Sequence, residues 1–215
     1  MKPPAVDGRP HAVLAIDTAT AAGSVALRGG DRTRDRELGW RASFREVAPA
    51  IEELMGEAGL SWADLDGIAV PSGPGSFTGL RVGAALALGL SKIAGRPLYG
   101  VPTLAAVVEA CAPPAVARVC ATLDARRGRR YAALYERTGT GLWELVAGPL
   151  DADPEAVEAL AGEAPQIGPD LDPARPVPRL AVAVARLAAA DPARYASTSP
   201  EGLELVYARS GLDDR

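Results

Sequence analysis

Residues 12–28 read AVLAIDTATAAGSVALR, and residues 117–136 read ARVCATLDARRGRRYAALYE. In each, an apolar run ends on an aspartate, Asp17 or Asp124, a turn follows, and a second apolar run returns. A short apolar run bounded by turn residues is a strand, so each stretch predicts an antiparallel hairpin. The two lie about half a chain apart, which points to a duplicated unit. Between them, "RTRDRELGW" predicts an exposed third strand. Apolar residues at helical spacing from Ser43 to Ala58 predict a helix with Pro49 inside it. Gly67 to Val70 predicts a strand and "TGLRVGAALALGLSKIAG" a helix closed by Gly95. "RPLYGV" predicts a strand, and Thr103 is placed to cap the helix that follows. The second half continues with a strand at "LWELVAG", helices opening at Asp153-Pro154 and spanning Pro178 to Ala190, and an apolar run at "LELVYAR". The expected architecture is an α/β protein of two related subdomains, each opening with a β-hairpin in a mixed sheet flanked by helices. The expected division is a flexible extension at 1–12, an N-terminal subdomain at 13–110 and a divergent, shortened subdomain at 111–215.

Bulk properties remove several classes of function. At 215 residues and 48% hydrophobic, the chain can bury a core without staples. A net charge of -4 gives no overall attraction for nucleic acid or anionic membranes. No apolar run free of charge or proline approaches ~18 residues, so a cytoplasmic protein without a membrane span is expected. Its two cysteines, Cys111 and Cys120, read as small buried hydrophobes. The single histidine, His11, lies in the extension, so histidine-dependent triads and histidine-bound zinc are not expected.

"GIAVPSGPGSFTG", residues 67–79, invites a phosphate-binding reading, because glycines before a helix N-terminus leave N–H groups for an anion. The autonomous signatures fail. Gly79 is followed by Leu80 and Arg81 rather than the lysine of a Walker A loop, the glycine spacing breaks GxGxxG, and Pro74 replaces the first glycine of a GxSxG elbow. Gly79, Gly83 and Ala87 fall four apart and so share one helix face, where another element can approach closely. That face is expected to serve either an interface or tight packing within the chain; on the interface reading Arg81 pairs across the contact. A leucine at Gly83 is accordingly expected to block association without unfolding the monomer. In the actin, Hsp70 and sugar-kinase superfold the first hairpin turn grips phosphate through Asp-x-Gly, whereas here the turns read Asp17-Thr18-Ala19 and Asp124-Ala125-Arg126. Both aspartates also suit plain turn capping. An actin-like phosphotransferase using Asp17 and the glycine loop remains an open alternative at this level.

"LAIDTATAAGSVAL", "GPGSFTGLRVG", "GVPTLAAV" and "DARRGRRYAALYE", in this order, resemble the bacterial TsaB family, also called YeaZ. The resemblance runs from about Val13 to Glu136, weakens over residues 140–200 and returns at "VYAR". It implies an actin-like (ASKHA) two-subdomain fold without a catalytic site or metal of its own. It further implies a partner, the metal-bearing paralogue TsaD, which transfers threonylcarbamoyl to the adenosine beside the tRNA anticodon. The ATPase TsaE would join the complex, a homodimer would form when the chain is alone, and tRNA would be met only through the complex. The matching partner-surface residues are Gly73, Pro74, Gly75, Ser76, Phe77, Thr78, Gly79, Arg81, Val82, Gly83, Leu86 and Ala87. Asp17, Thr18 and Asp124 match a vestigial nucleotide site, or one shared with the partner, and no cofactor is expected on the chain alone. A glycoprotease-like metalloenzyme, the older label of the wider family, would need metal ligands that the sequence does not supply. This chain departs from the family at "RASFRE", which lacks the usual histidine before the first long helix, at Arg129, and at Leu205.

Overall fold

The computed structural model describes residues 12–39, 44–171, 177–197 and 203–207. The first hairpin is β1 (Ala12–Asp17) and β2 (Ser24–Gly29), in register from Ala12 opposite Gly29 to Asp17 opposite Ser24. β3 (Arg32–Glu37) adds an antiparallel, polar edge. Helix α1 (Phe44–Ala58) then crosses back, running through Pro49, and a short 3-10 turn at Trp62–Asp64 follows. Ser61 and Asp64 close that turn as a reciprocal capping box, as their spacing predicts. Strand β4 (Gly67–Gly73) pairs parallel to β1, helix α2 (Phe77–Ala94) follows, and β5 (Leu98–Pro102) pairs parallel to β4. The first sheet therefore has the order β3-β2-β1-β4-β5.

After helix α3 (Thr103–Cys111) the pattern repeats. β6 (Arg118–Arg126), β7 (Arg129–Arg137) and β8 (Trp143–Ala152) form an antiparallel meander, α4 (Pro154–Ala161) crosses, and the short β9 (Gln166–Ile167) pairs parallel to β6. The second order, β8-β7-β6-β9, repeats the first four strands of the first sheet. This is the actin-like arrangement. Two helices complete it, α5 (Leu180–Ala190) and the single turn α6 (Pro192–Tyr195).

The side chains explain the layering. β1 is buried along its whole length: Leu14 and Ile16 point into a core beneath α1 and α2, while Val13 and Ala15 point into a second core on the opposite face. That second core is filled by Ala181, Val184, Ala185 and Ala188 of α5, so a helix from the late chain seals the early sheet. The Ser24 hydroxyl fixes it there, accepting from the N–H of Ala181 at 3.2 Å. Conversely, Leu104, Val107 and Val108 of α3, from the first half, pack on the second sheet against Val119, Ala121 and Tyr135. α4 covers that sheet's outer face through Val157 and Ala161. Each large aliphatic side chain buried here stabilises the fold by roughly 1.5–3 kcal/mol.

Two expectations shift at element ends. Ala12, read with the extension, opens β1: its N–H donates to the Asp66 carboxylate at 3.0 Å and its carbonyl accepts from the Asp66 N–H at 2.7 Å. Thr103, read as a cap, is the first residue of α3 and fully buried. Its hydroxyl accepts from the Gly73 N–H at 3.2 Å, tying α3 to the end of β4. His11 and Ser43 lie outside the described residues.

Candidate functional site

Asp17 ends β1 with its carboxylate fully buried. Oδ1 accepts from the N–H of Ala19 at 2.8 Å and of Thr20 at 3.2 Å, and Oδ2 accepts from the Thr20 hydroxyl. The carboxyl is thus bonded within its own turn. Burial pushes its pKa up to about 6, and the three hydrogen bonds only partly oppose that rise. Asp124 repeats the device at the second hairpin, accepting from the Arg126 N–H at 2.8 Å, but there the turn is solvent exposed. Arg126, Arg127 and Gly128 take positive φ values of 74°, 54° and 76°, which lets this hairpin close.

The first turn and the glycine loop are fastened to each other. The Thr18 hydroxyl donates to the Gly79 carbonyl at 2.7 Å, and the Ser76 N–H donates to the Ala19 carbonyl at 2.8 Å. The two segments thus bond directly to each other, through one side-chain and one backbone hydrogen bond. Ser76 also caps α2, its Oγ accepting from the Gly79 N–H at 3.3 Å, and Gly95 closes the helix with a φ of 62°.

This fastening matches the second of the two readings of the small-residue stripe, tight packing within the chain. A Cβ at Gly79 would lie 1.9 Å from the Thr18 carbonyl oxygen, and one at Gly83 would lie 2.6 Å from the Thr18 hydroxyl. Gly83 and Ala87 are buried. The close approach made possible by the stripe is to the chain's own hairpin, so a leucine at Gly83 is expected to strain the fold as well as any association. Of the remaining surface residues read from sequence, Gly73 and Pro74 are buried, and Gly75 and Leu86 are half-buried. Ser76, Phe77, Thr78, Arg81 and Val82 are exposed.

The outward face of α2 runs through Thr78, Val82, Ala85, Gly89 and Ile93, at helical spacing. It is apolar or small along most of its length, and Phe77 and Ile93 stand 54% and 81% exposed. By length and composition α2 could cross a membrane. Leu80, Gly83 and Ala87, however, hold its inner face against the protein, and Arg81 and Lys92 interrupt the apolar run. Ala85, Gly89 and Ile93 were missed on sequence grounds, although counting forward from Val82 in helical steps reaches each of them. Arg81 is already engaged: its guanidinium lies 3.7 Å from the centre of the Phe77 ring.

A groove of about 640 Å³ opens elsewhere, between β3, the end of α3 and the start of α5. Its walls carry both signs of charge, and Arg179 pairs there with Asp35 at 2.5 Å and Glu37 at 3.7 Å. Burial raises the pKa of Glu109 on the same wall, with Arg186 and Arg137 opposing the rise. Among the described residues no group of three or more His, Cys, Asp or Glu side chains is placed to hold a metal ion.

Comparison with known proteins bears on the family and the fold. The family model for TsaD, tRNA N6-adenosine threonylcarbamoyltransferase, matches residues 37–170. The chain is 37% identical over 162 residues to the tRNA threonylcarbamoyladenosine biosynthesis protein TsaB of Escherichia coli (strain K12), covering 73% of this chain and 70% of that one. It is 40% identical over 121 residues to TsaB of Haemophilus influenzae, covering 55% of this chain and 51% of that one. Among solved structures, one from Pseudomonas aeruginosa described as similar to the peptidase YeaZ superposes with a TM-score of 0.72 at 29% identity, covering 92% of this chain and 99% of that one.

Proposed function

The chain belongs to the TsaB family, and from that premise we propose that it is a non-catalytic subunit acting in tRNA threonylcarbamoyladenosine biosynthesis. In this reading it binds a TsaD-type transferase and supports its transfer of threonylcarbamoyl to the adenosine beside the anticodon. The observation that carries the proposal is the outward face of α2, an apolar helical stripe ending in an exposed Phe77. Continuous exposed apolar surface of this kind marks a protein contact. Asp17 supports the non-catalytic part of the reading, because its buried carboxylate is engaged by three hydrogen bonds from its own turn.

The same face would serve a homodimer when the chain is alone, TsaE would join the larger complex, and tRNA would be met only there, in the cytoplasm. A nucleotide, where one takes part, would be shared with the partner, because Thr18 and the loop are already bonded to each other. The division into subdomains expected at 13–110 and 111–215 becomes, in this proposal, 12–110 and 111–215, because Ala12 opens β1, with α5 of the second lying on the sheet of the first.

The test is Val82→Arg, which places a charge at the centre of the stripe. Size-exclusion chromatography with the transferase should show co-elution of the parent chain and separate peaks for the variant, with unchanged urea unfolding. Co-elution of the variant at parental affinity would remove α2 as the contact. Reconstituted tRNA modification with and without the chain tests the role itself, and turnover of Mg-ATP by the isolated chain would favour a phosphotransferase instead.

A further inference from the structure

We infer that Leu203–Tyr207 is an intramolecular clasp that sets Phe77 and Arg81 in position as one end of the partner surface; the inference rests on reading α2 as that surface. This segment joins the glycine loop through one backbone bond, from the Val206 N–H to the Ser72 carbonyl at 2.7 Å. The bond forms where β4 slips out of register with β5, between Pro71 and Gly73.

Two glycines on neighbouring strands leave room for the segment. A Cβ at Gly73 would lie 2.1 Å from the Val206 carbonyl oxygen, and one at Gly100 would lie 2.2 Å from Cδ1 of Leu203. Gly73 also has a φ of 112°, a conformation that side chains rarely adopt. Leu203 packs, partly buried, against the core beneath α1 and α2.

At the far end of the clasp three side chains hold one another. The Tyr207 ring lies 5.4 Å from that of Phe77, tilted by 43°. Arg81 sits over the Phe77 ring, and its Nε–H donates to the Tyr207 hydroxyl at 3.4 Å. Without Tyr207, Phe77 and Arg81 would keep only their contact with each other near the start of a helix, and association would have to order the pair. With the clasp docked, an aromatic pair and a cation are arranged before the partner arrives. Tyr207 and Val206 then act as positioning residues for a surface that begins more than a hundred positions earlier in the chain.

The experiment uses the full chain with Val206→Pro, which removes the donor, Gly100→Ala, which pushes on Leu203 from the opposite side, and Tyr207→Ala, which removes only the exposed ring. Hydrogen exchange at Phe77–Arg81 and Kd for the transferase are measured for each, with Val82→Arg as the control for the surface. Expected are faster exchange in all three and a Kd raised about tenfold, as when only a tenth of the molecules is binding-competent. The Val206→Pro and Gly100→Ala effects should not add, because both undo one docking step. Unchanged exchange at Phe77–Arg81 would refute the clasp. Faster exchange with unchanged Kd, while Val82→Arg loses binding, would refute its role in association and leave the α2 surface standing. Parental affinity in Val82→Arg would remove the surface, and this inference with it.

Discussion

Replacing Asp17 with asparagine should stabilise the protein at neutral pH. An aspartate has a pKa of 3.8 when unfolded, and burial raises that of Asp17 to about 6. Between these values the folded state holds a proton that the unfolded state has released, so stability falls as pH rises across the window and is level above it. A shift of about two units, at about 1.4 kcal/mol per unit, corresponds to about 3 kcal/mol. In the Asp17→Asn variant the carbonyl oxygen of the new side chain keeps the two backbone bonds. The amide nitrogen takes the place of Oδ2, and the Thr20 hydroxyl can reverse to accept from it. The variant should therefore behave like the protonated parent at every pH. Urea unfolding of both proteins at half-unit steps from pH 4 to 7.5 isolates the effect, because other titrating groups cancel in the difference. A difference of only about 0.5 kcal/mol near pH 4, widening to a gain of about 1–3 kcal/mol for Asp17→Asn at pH 7, is expected. A loss of about 1 kcal/mol or more at pH 7 would refute the reasoning, since it would mean that the fold stabilises the ionised carboxylate.

Glycine substitutions on α2 should divide by face. Gly79→Ala drives a Cβ into the Thr18 backbone and should cost about 3 kcal/mol or more in urea unfolding. Gly89→Ala meets nothing within 4 Å and should add about 0.5–1 kcal/mol. Thr103→Val keeps the shape but leaves the buried Gly73 N–H without its acceptor, which should cost about 1–3 kcal/mol and lower the thermal midpoint.

The hairpins, their repetition and the loop-to-helix connection were legible because they rest on local patterns: apolar runs ended by Asp17 and Asp124, a serine before α2 and Gly95 after it. The small-residue stripe was legible as a close approach but not as to what approaches. Thr18 lies 61 positions before Gly79, and nothing in either residue encodes the pairing. The contact between Val206 and Ser72 is a backbone hydrogen bond, which leaves no mark on side-chain identity. Thr103 misled because a threonine after a strand suits a cap, whereas its hydroxyl turns to a glycine on another strand. The outward face of α2 was hidden by composition: apolar and small residues occur all around the helix, so periodicity gives weak direction.

The placement of α5 on the first sheet bears on how the chain matures during synthesis. Among the described residues, one face of β1, β2 and β4 is covered largely by Ala181–Ala189, so Val13, Ala15, Ala26 and Ala69 lack that cover until residues beyond 180 have left the ribosome. A fragment ending at residue 110 keeps that face exposed, and the remainder lacks the covering that α3 gives the second sheet. Each half thus supplies part of the other's core, and the growing chain carries an apolar sheet face whose cover is made last.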